Sequence, residues 1–253
     1  MRGVIIKESE ILDQALKGNI DKKPMTTLRT LTKYYFLEEN DKNKIEQKLD
    51  SYMKNNYVGY KPSKWKDLLN QLVKSVSQYN NFEIKDVDHI NITDSEWNEM
   101  VKLENKQLEK LAFVLLIYSK VNNIRIFENN NKVNQNLSDI LTECGLQRTD
   151  ENKKLLNQLL VKGYISQGKS CNATAIKVEF VNDEDNVKFR IDNFNNVISY
   201  YDEYRNCNKY TECECCYKRI LKTKHNIKYC KKCAKKIKNE QNKVYFEKRR
   251  KAK

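Results

Sequence analysis

The spacing of apolar residues is helical over roughly the first 90 positions. Residues 8–16 make a short amphipathic run. Pro24 opens a second pattern carrying Leu28, Leu31, Tyr35 and Phe36, since the fixed φ of proline suits a first helical turn. Ile45, Leu49, Tyr52 and Met53 repeat the spacing after a polar break at residues 39–43. A further pattern after Pro62 and Ser63 carries Trp65, Leu68, Leu69, Leu72, Val73 and Val76. Residues 1–90 are therefore expected to form a small helical bundle with its aromatic residues in the core.

The pattern changes after position 93. Thr93-Asp94-Ser95-Glu96 matches a capping box and leads into one long helix to about Val121, apolar nearly all round in its second half and so expected to be buried. Residues 124–136 read as a polar loop. Residues 137–143 form a short helix ended by Cys144-Gly145, where glycine suits a left-handed C-cap. Residues 150–162 form another helix, with Leu155, Leu156, Leu159 and Leu160 inward. Tyr164-Ile165-Ser166 is extended, residues 175–181 and 187–191 read as strands about a turn at 182–185, and residues 195–204 close with a helix. The densest acidic run, Asp183-Glu184-Asp185, is explained by that turn. Over residues 93–204 this order is the layout of a winged helix-turn-helix, in which the second helix of the motif enters the major groove. Residues 150–162 supply that helix, with Lys153, Lys154, Asn157 and Gln158 on its outward face, Arg148 before it and Lys169 on the wing. Asn and Gln can pair with adenine, and Lys with guanine or phosphate.

Composition limits what such modules can be. Of 253 residues only 39% are hydrophobic and 32% are charged, so several small modules fit better than one large core. The longest apolar stretch, Leu-Ala-Phe-Val-Leu-Leu-Ile-Tyr at 111–118, falls far short of the roughly 20 residues of a membrane span. No signal-peptide core forms before Glu8, so a cytoplasmic protein without a membrane partner is expected. The net charge of +14 is concentrated at one end: residues 207–253 hold 17 Lys/Arg against four Glu, whereas the rest of the chain is nearly neutral. Such focused charge attracts phosphate and gains free energy by counterion release. Residues 137–170, by contrast, carry five basic and four acidic residues, which weakens the case for direct DNA contact there. Six scattered glycines build no phosphate loop, two histidines build no catalytic cluster, and no enzyme is expected.

The cysteines carry the sharpest signal. Cys213-x2-Cys216 and Cys230-x2-Cys233, 13 residues apart, have the spacing of a structural Zn2+ site. A small zinc ribbon is expected, with residues 217–229 forming its hairpin and the metal supplying most of its folding free energy. Cys215 could replace Cys213 or Cys216, and His225 is an alternative ligand. Cys144 and Cys171 read as buried apolar residues. After Cys233 the chain continues as a basic helix of about 30 Å, close to one turn of DNA, carrying Lys235, Lys236, Lys248, Arg249 and Arg250 as phosphate ligands.

The run Cys213-Glu-Cys-Cys216-Tyr-Lys-Arg-Ile, then Lys228-Tyr-Cys230-Lys-Lys-Cys233-Ala-Lys-Lys and a terminal Lys-Arg-Arg-Lys, resembles the C-terminal ribbon of uncharacterised phage and mobile-element proteins of low-GC Gram-positive bacteria. The resemblance covers about residues 205–250. It departs at Tyr217, where those proteins carry glycine, which bears on the form of the turn. The expected architecture is mainly α with small β: a helical bundle (1–90), a winged-helix domain (93–204), and a zinc ribbon with basic helix (207–253). The expected function is DNA binding in phage or mobile-element replication initiation or transcriptional control. The alternative is an inhibitor or adaptor that docks on a host nucleic-acid-associated protein.

Overall fold

A computed structural model describes residues 6–20, 24–79, 81–126, 129–133, 135–167 and 176–251. The chain is mainly helical with three small sheets, and it divides into two compact units, residues 4–88 with 119–132 and residues 89–118 with 133–253. Among the described residues no helix is long and apolar enough to cross a membrane.

In the first unit, α1 (Glu8–Leu16), α2 (Met25–Glu38), α3 (Lys42–Asn56) and α4 (Pro62–Val76) follow the sequence periodicity closely. Pro24 stands at the N-cap of α2, and Asp41 caps α3 by accepting from the N–H groups of Asn43 and Lys44. Leu28, Leu31, Ile45, Leu49, Met53, Leu72 and Val76 pack into one core. Trp65, Tyr35 and Tyr52 lie half-buried against it, as core residues should. One ionic group is also inside: Glu8 Oε2 accepts from Lys33 Nζ at 2.6 Å and from the Lys85 N–H at 3.1 Å.

In the second unit the capping box is present. Thr93 Oγ1 accepts from Glu96 N–H, and the Glu96 carboxylate accepts from Thr93 N–H. The long helix expected after it is two helices, α5 (Asp94–Val101) and α6 (Lys106–Ile126). The break falls at Glu104, with φ of +51°, and Asn105, whose side chain accepts from Gln107 and Leu108 N–H groups and starts α6. Residues 111–118 of α6 are fully buried, as their apolar character requires.

Two short strands escape the periodicity. β1 (Ile90–Thr93) pairs antiparallel with β5 (Val187–Ile191), and β2 (Lys132–Val133) lies inside the expected polar loop. α7 (Leu137–Glu143), capped by Asn136, and α8 (Asp150–Val161), capped by Thr149, lead to β3 (Ile165–Gln167) and β4 (Ile176–Val178). The sheet order is β2-β4-β3. β5 therefore pairs with β1 and not with β4, so the turn at 182–185 closes no hairpin. Instead that turn docks on the head of α5: Asn182 N–H donates to Glu96, and Asp185 accepts from Ser95 N–H. One of its carboxylates, Asp185, is thus used as a cap, in agreement with the turn reading. A single 3-10 turn (Phe194–Asn196) precedes α9 (Ile198–Asn206). Trp97 of α5, Phe113 of α6, Phe189 of β5 and Tyr200, Tyr201 and Tyr204 of α9 form one aromatic cluster. β6 (Tyr210–Glu212), β7 (Arg219–Leu221) and α10 (Lys231–Lys251) complete the chain.

Candidate metal centre and nucleic-acid interface

The hairpin of the cysteine module lies elsewhere than its spacing predicts. β6 and β7 pair in register Tyr210–Leu221, Thr211–Ile220 and Glu212–Arg219, so the hairpin straddles the first cysteine pair. Cys213–Cys216 is its turn. Cys213 N–H donates to the Lys218 carbonyl, and Tyr217 N–H donates to the Cys213 carbonyl, closing the loop tightly. That closure puts Tyr217 at φ +56°, a conformation that glycine adopts freely and other L-residues adopt at a cost. Tyr217 therefore holds the turn in a strained conformation.

The second pair sits at the head of α10. Cys230 immediately precedes the helix, Cys233 lies in its first turn, and the Ala234 N–H donates to the Cys230 carbonyl. Glu214 N–H donates to the Lys228 carbonyl and ties the approach strand to the first knuckle. The sulfurs of Cys213, Cys216, Cys230 and Cys233 all lie within 4.8 Å of one another, and Cys216 and Cys230 are 3.8 Å apart. A tetrahedral Zn2+ with Zn–S bonds of about 2.3 Å sets its sulfurs about 3.8 Å apart, so the four residues fit such an ion. Cys215 and His225, the alternative ligands, are exposed and do not belong to this set.

Backbone donors prepare the sulfurs. Burial pushes the Cys213 thiol up, but N–H groups of Cys230, Cys215 and Cys216 outweigh it and bring the thiol down to about 6. The Cys230 thiol is lowered chiefly by the N–H of Cys233, at 3.4 Å from its sulfur. The Cys233 thiol is pushed up, chiefly by the Cys230 and Cys216 sulfurs beside it, so the four do not ionise together unaided; a divalent cation would remove the conflict. The N-terminal end of α10 adds its positive dipole to the same side.

The module is fastened to the body by Arg219 and two asparagines. The Arg219 guanidinium lies 3.7 Å over the Tyr200 ring and pairs with Glu203. Asn196 Nδ2 donates to the Arg219 carbonyl at 2.8 Å, and Asn193 Nδ2 donates to the Tyr217 carbonyl at 2.6 Å. No sequence motif marks Arg219 or these asparagines. They matter because they hold the strand that leaves the strained turn, and Asn193 Nδ2 also donates to the Glu212 carboxylate on the strand that enters it.

The basic residues are distributed as follows. Lys235 and Lys236 are exposed on α10. Lys248, Arg249 and Arg250 fall on the backbone of α10, and their side chains lie outside the described residues. On α8, Lys153, Lys154, Asn157 and Gln158 are exposed while Leu155 and Leu159 are buried, so the expected outward face is present. Lys153 Nζ pairs with the exposed Asp150 carboxylate at 2.6 Å, which sets a negative charge beside it on that face. Arg148 is exposed before the helix. Lys169 and Cys171 lie outside the described residues. Cys144 is buried with its sulfur toward the Lys110 carbonyl, the apolar role expected of it. Nothing among family models, curated proteins and solved structures matches the chain.

Proposed function

We propose that the protein binds DNA through a metal-stabilised C-terminal module, in which Zn2+ held by Cys213, Cys216, Cys230 and Cys233 fixes the head of a helix whose cations engage phosphate. The observation that carries this reading is the convergence of four sulfurs at the start of α10, a 21-residue helix exposed nearly throughout its described side chains. An exposed helix of this length is marginal alone in water, so its first turn needs an anchor and its remainder gains from a partner. Ten Lys/Arg against two Glu along α10 make that partner a polyanion.

The order α7, α8, β3, β4 with the sheet β2-β4-β3 is in keeping with a winged helix-turn-helix. In it, Arg148, Lys154, Asn157 and Gln158 would face the groove, with Lys169 on the wing. The resemblance of residues 205–250 to uncharacterised phage and mobile-element proteins supplies the setting we propose, and the role we propose in it is cytoplasmic and non-enzymatic, in replication initiation or transcriptional control. One observation favours a second reading, an adaptor that docks on a host protein: residues 137–170 carry five basic against four acidic residues, and Lys153 pairs with Asp150, so α8 attracts phosphate far less than α10.

The test is duplex DNA binding by the full chain carrying Lys235→Gln, Lys236→Gln and Lys243→Gln together. Binding is expected to weaken on every sequence, with the dependence of log K on log salt flattening by about 2 to 3. Undiminished binding would refute the role of α10. Absence of DNA binding by the unaltered chain would favour the adaptor.

A further inference from the structure

We propose that α10 reads bases in the major groove of B-form DNA, with Asn239 and Asn242 as its specificity-determining residues; this rests on the DNA-binding function above and adds the element that discriminates sequences. The orientation of the helix follows from its anchor. Cys233 is buried in the metal cluster, and Ile237, one turn on, is half-buried. At about 100° per residue these two and Val244 share one side of the helix. Lys232, Lys235, Asn239 and Asn242 lie on the opposite side, with Lys236 and Lys243 along its flank, spaced i, i+3, i+7 and i+10 with i+4 and i+11, and all six are exposed. Cys233 and Ile237 therefore set the face that the first two turns of α10 turn outward, and that face is basic; farther along, Val244 is itself 50% exposed and the helix is open on all sides.

Within that face charge and amide are segregated. Around the helix the two amides lie between Lys238 on one flank and Lys236 and Lys243 on the other, all exposed, and no carboxylate intervenes between those flanks. The nearest, Glu240, lies at the edge, 4.0 Å from Lys236. A groove offers phosphates along its rims and base edges on its floor, so cations outside and carboxamides in the middle match it. Asn is a poor helix former and neutralises no phosphate, so two exposed asparagines on this stripe contribute nothing to either helix stability or general affinity. Their paired donor and acceptor match N6 and N7 of adenine. A three-residue step rises about 4.5 Å along the helix, close to the roughly 3.4 Å between base pairs, so the two side chains would meet neighbouring pairs. The stripe from Lys232 to Lys243 is about 17 Å long, which spans about five base pairs. A-form RNA is excluded as the preferred duplex because its deep, narrow major groove does not admit a helix.

The experiment selects from a random duplex DNA library with the zinc-loaded full chain. The bound pool should converge on a site of about five base pairs containing two neighbouring A·T pairs. Asn239→Ala and Asn242→Ala should each lower affinity for that site at least about fivefold, leave affinity for random duplex unchanged, and retain one zinc per chain. Lys235→Gln should weaken both duplexes alike. Unchanged affinity of the asparagine variants for the selected site, or equal losses on both duplexes, would overturn the inference while leaving DNA binding intact. So would loss of selectivity on Asn157→Ala and Gln158→Ala alone, which would return base reading to α8. Preference for duplex RNA or an acidic polypeptide would also overturn it. A full chain that binds neither DNA would remove the proposed function itself.

Discussion

The strained turn of the cysteine module offers a sharp quantitative test. Tyr217 has φ of +56°, and its side chain is 65% exposed. A left-handed L-residue costs about 1–2 kcal/mol, a cost that glycine does not carry. Against this, glycine loses more freedom on folding, worth roughly 0.5–1 kcal/mol. Little packing is lost from so exposed a ring, and the backbone bonds of residue 217, to the Cys213 carbonyl and from Asn193, survive the change. Tyr217→Gly should therefore stabilise the folded, metal-bound module by about 0.5–1 kcal/mol. Where metal binding and folding are one event, that gain appears as zinc affinity two- to fivefold higher. Tyr217→Ala is the control, since its Cβ preserves the strain and should give no gain. The assay is competition for zinc against a chromogenic chelator, with thermal melting of the metal-bound protein alongside. Equal or weaker zinc binding by the glycine variant, or an equal gain from alanine, would refute the strain argument.

Three further outcomes follow from the same geometry. Cys215→Ser should retain one zinc per chain by elemental analysis, whereas Cys230→Ser should lose it, because only the latter removes a converging sulfur. Glu8→Gln should lower the denaturation midpoint of the first unit by an amount equivalent to about 3–5 kcal/mol, since it leaves the buried Lys33 ammonium without its counter-charge. The Asp192 carboxyl is held below its ordinary value, chiefly by the Tyr200 hydroxyl that donates to it at 2.6 Å. Its contribution is thus complete above the ordinary carboxylate range and lost as pH falls through the lower folded value. Melting temperatures at pH 6 and pH 3 should show a smaller acid-induced drop for Asp192→Asn than for the unaltered chain.

Local signals in the sequence survive into the structure, and pairings made over long range do not announce themselves. The helices α1 to α4, the capping box at Thr93 and the two cysteine pairs are each set by residues within one or two turns, so spacing alone finds them. β1 is four residues long and exists because Ile90, Asn91 and Ile92 meet Ile191, Arg190 and Phe189 about a hundred residues on. The break between α5 and α6 was legible in principle, for Asn105 is a strong N-cap residue, but the apolar run behind it masks the signal. The hairpin of the metal module was displaced from its expected place by contacts made outside the module. Asn193 and Asn196 fasten Tyr217 and Arg219, fixing the strands around the first cysteine pair. The outward face of the first turns of α10 could not be chosen from periodicity alone, because the four-cysteine cluster that buries Cys233 decides it.

The central claim is that a metal-anchored basic helix binds DNA by neutralising phosphates. The most direct measurement is the affinity of the full chain for a short duplex as salt is raised from 50 to 200 mM, with zinc bound and after its removal by chelator. With zinc bound, log K should fall linearly against log salt with a slope of about −4, as expected for four to five phosphate contacts from the outward lysines of α10. Chelation should weaken binding at every salt concentration, since the helix loses its anchor. Binding that is independent of salt, or identical with and without the metal, would contradict the account.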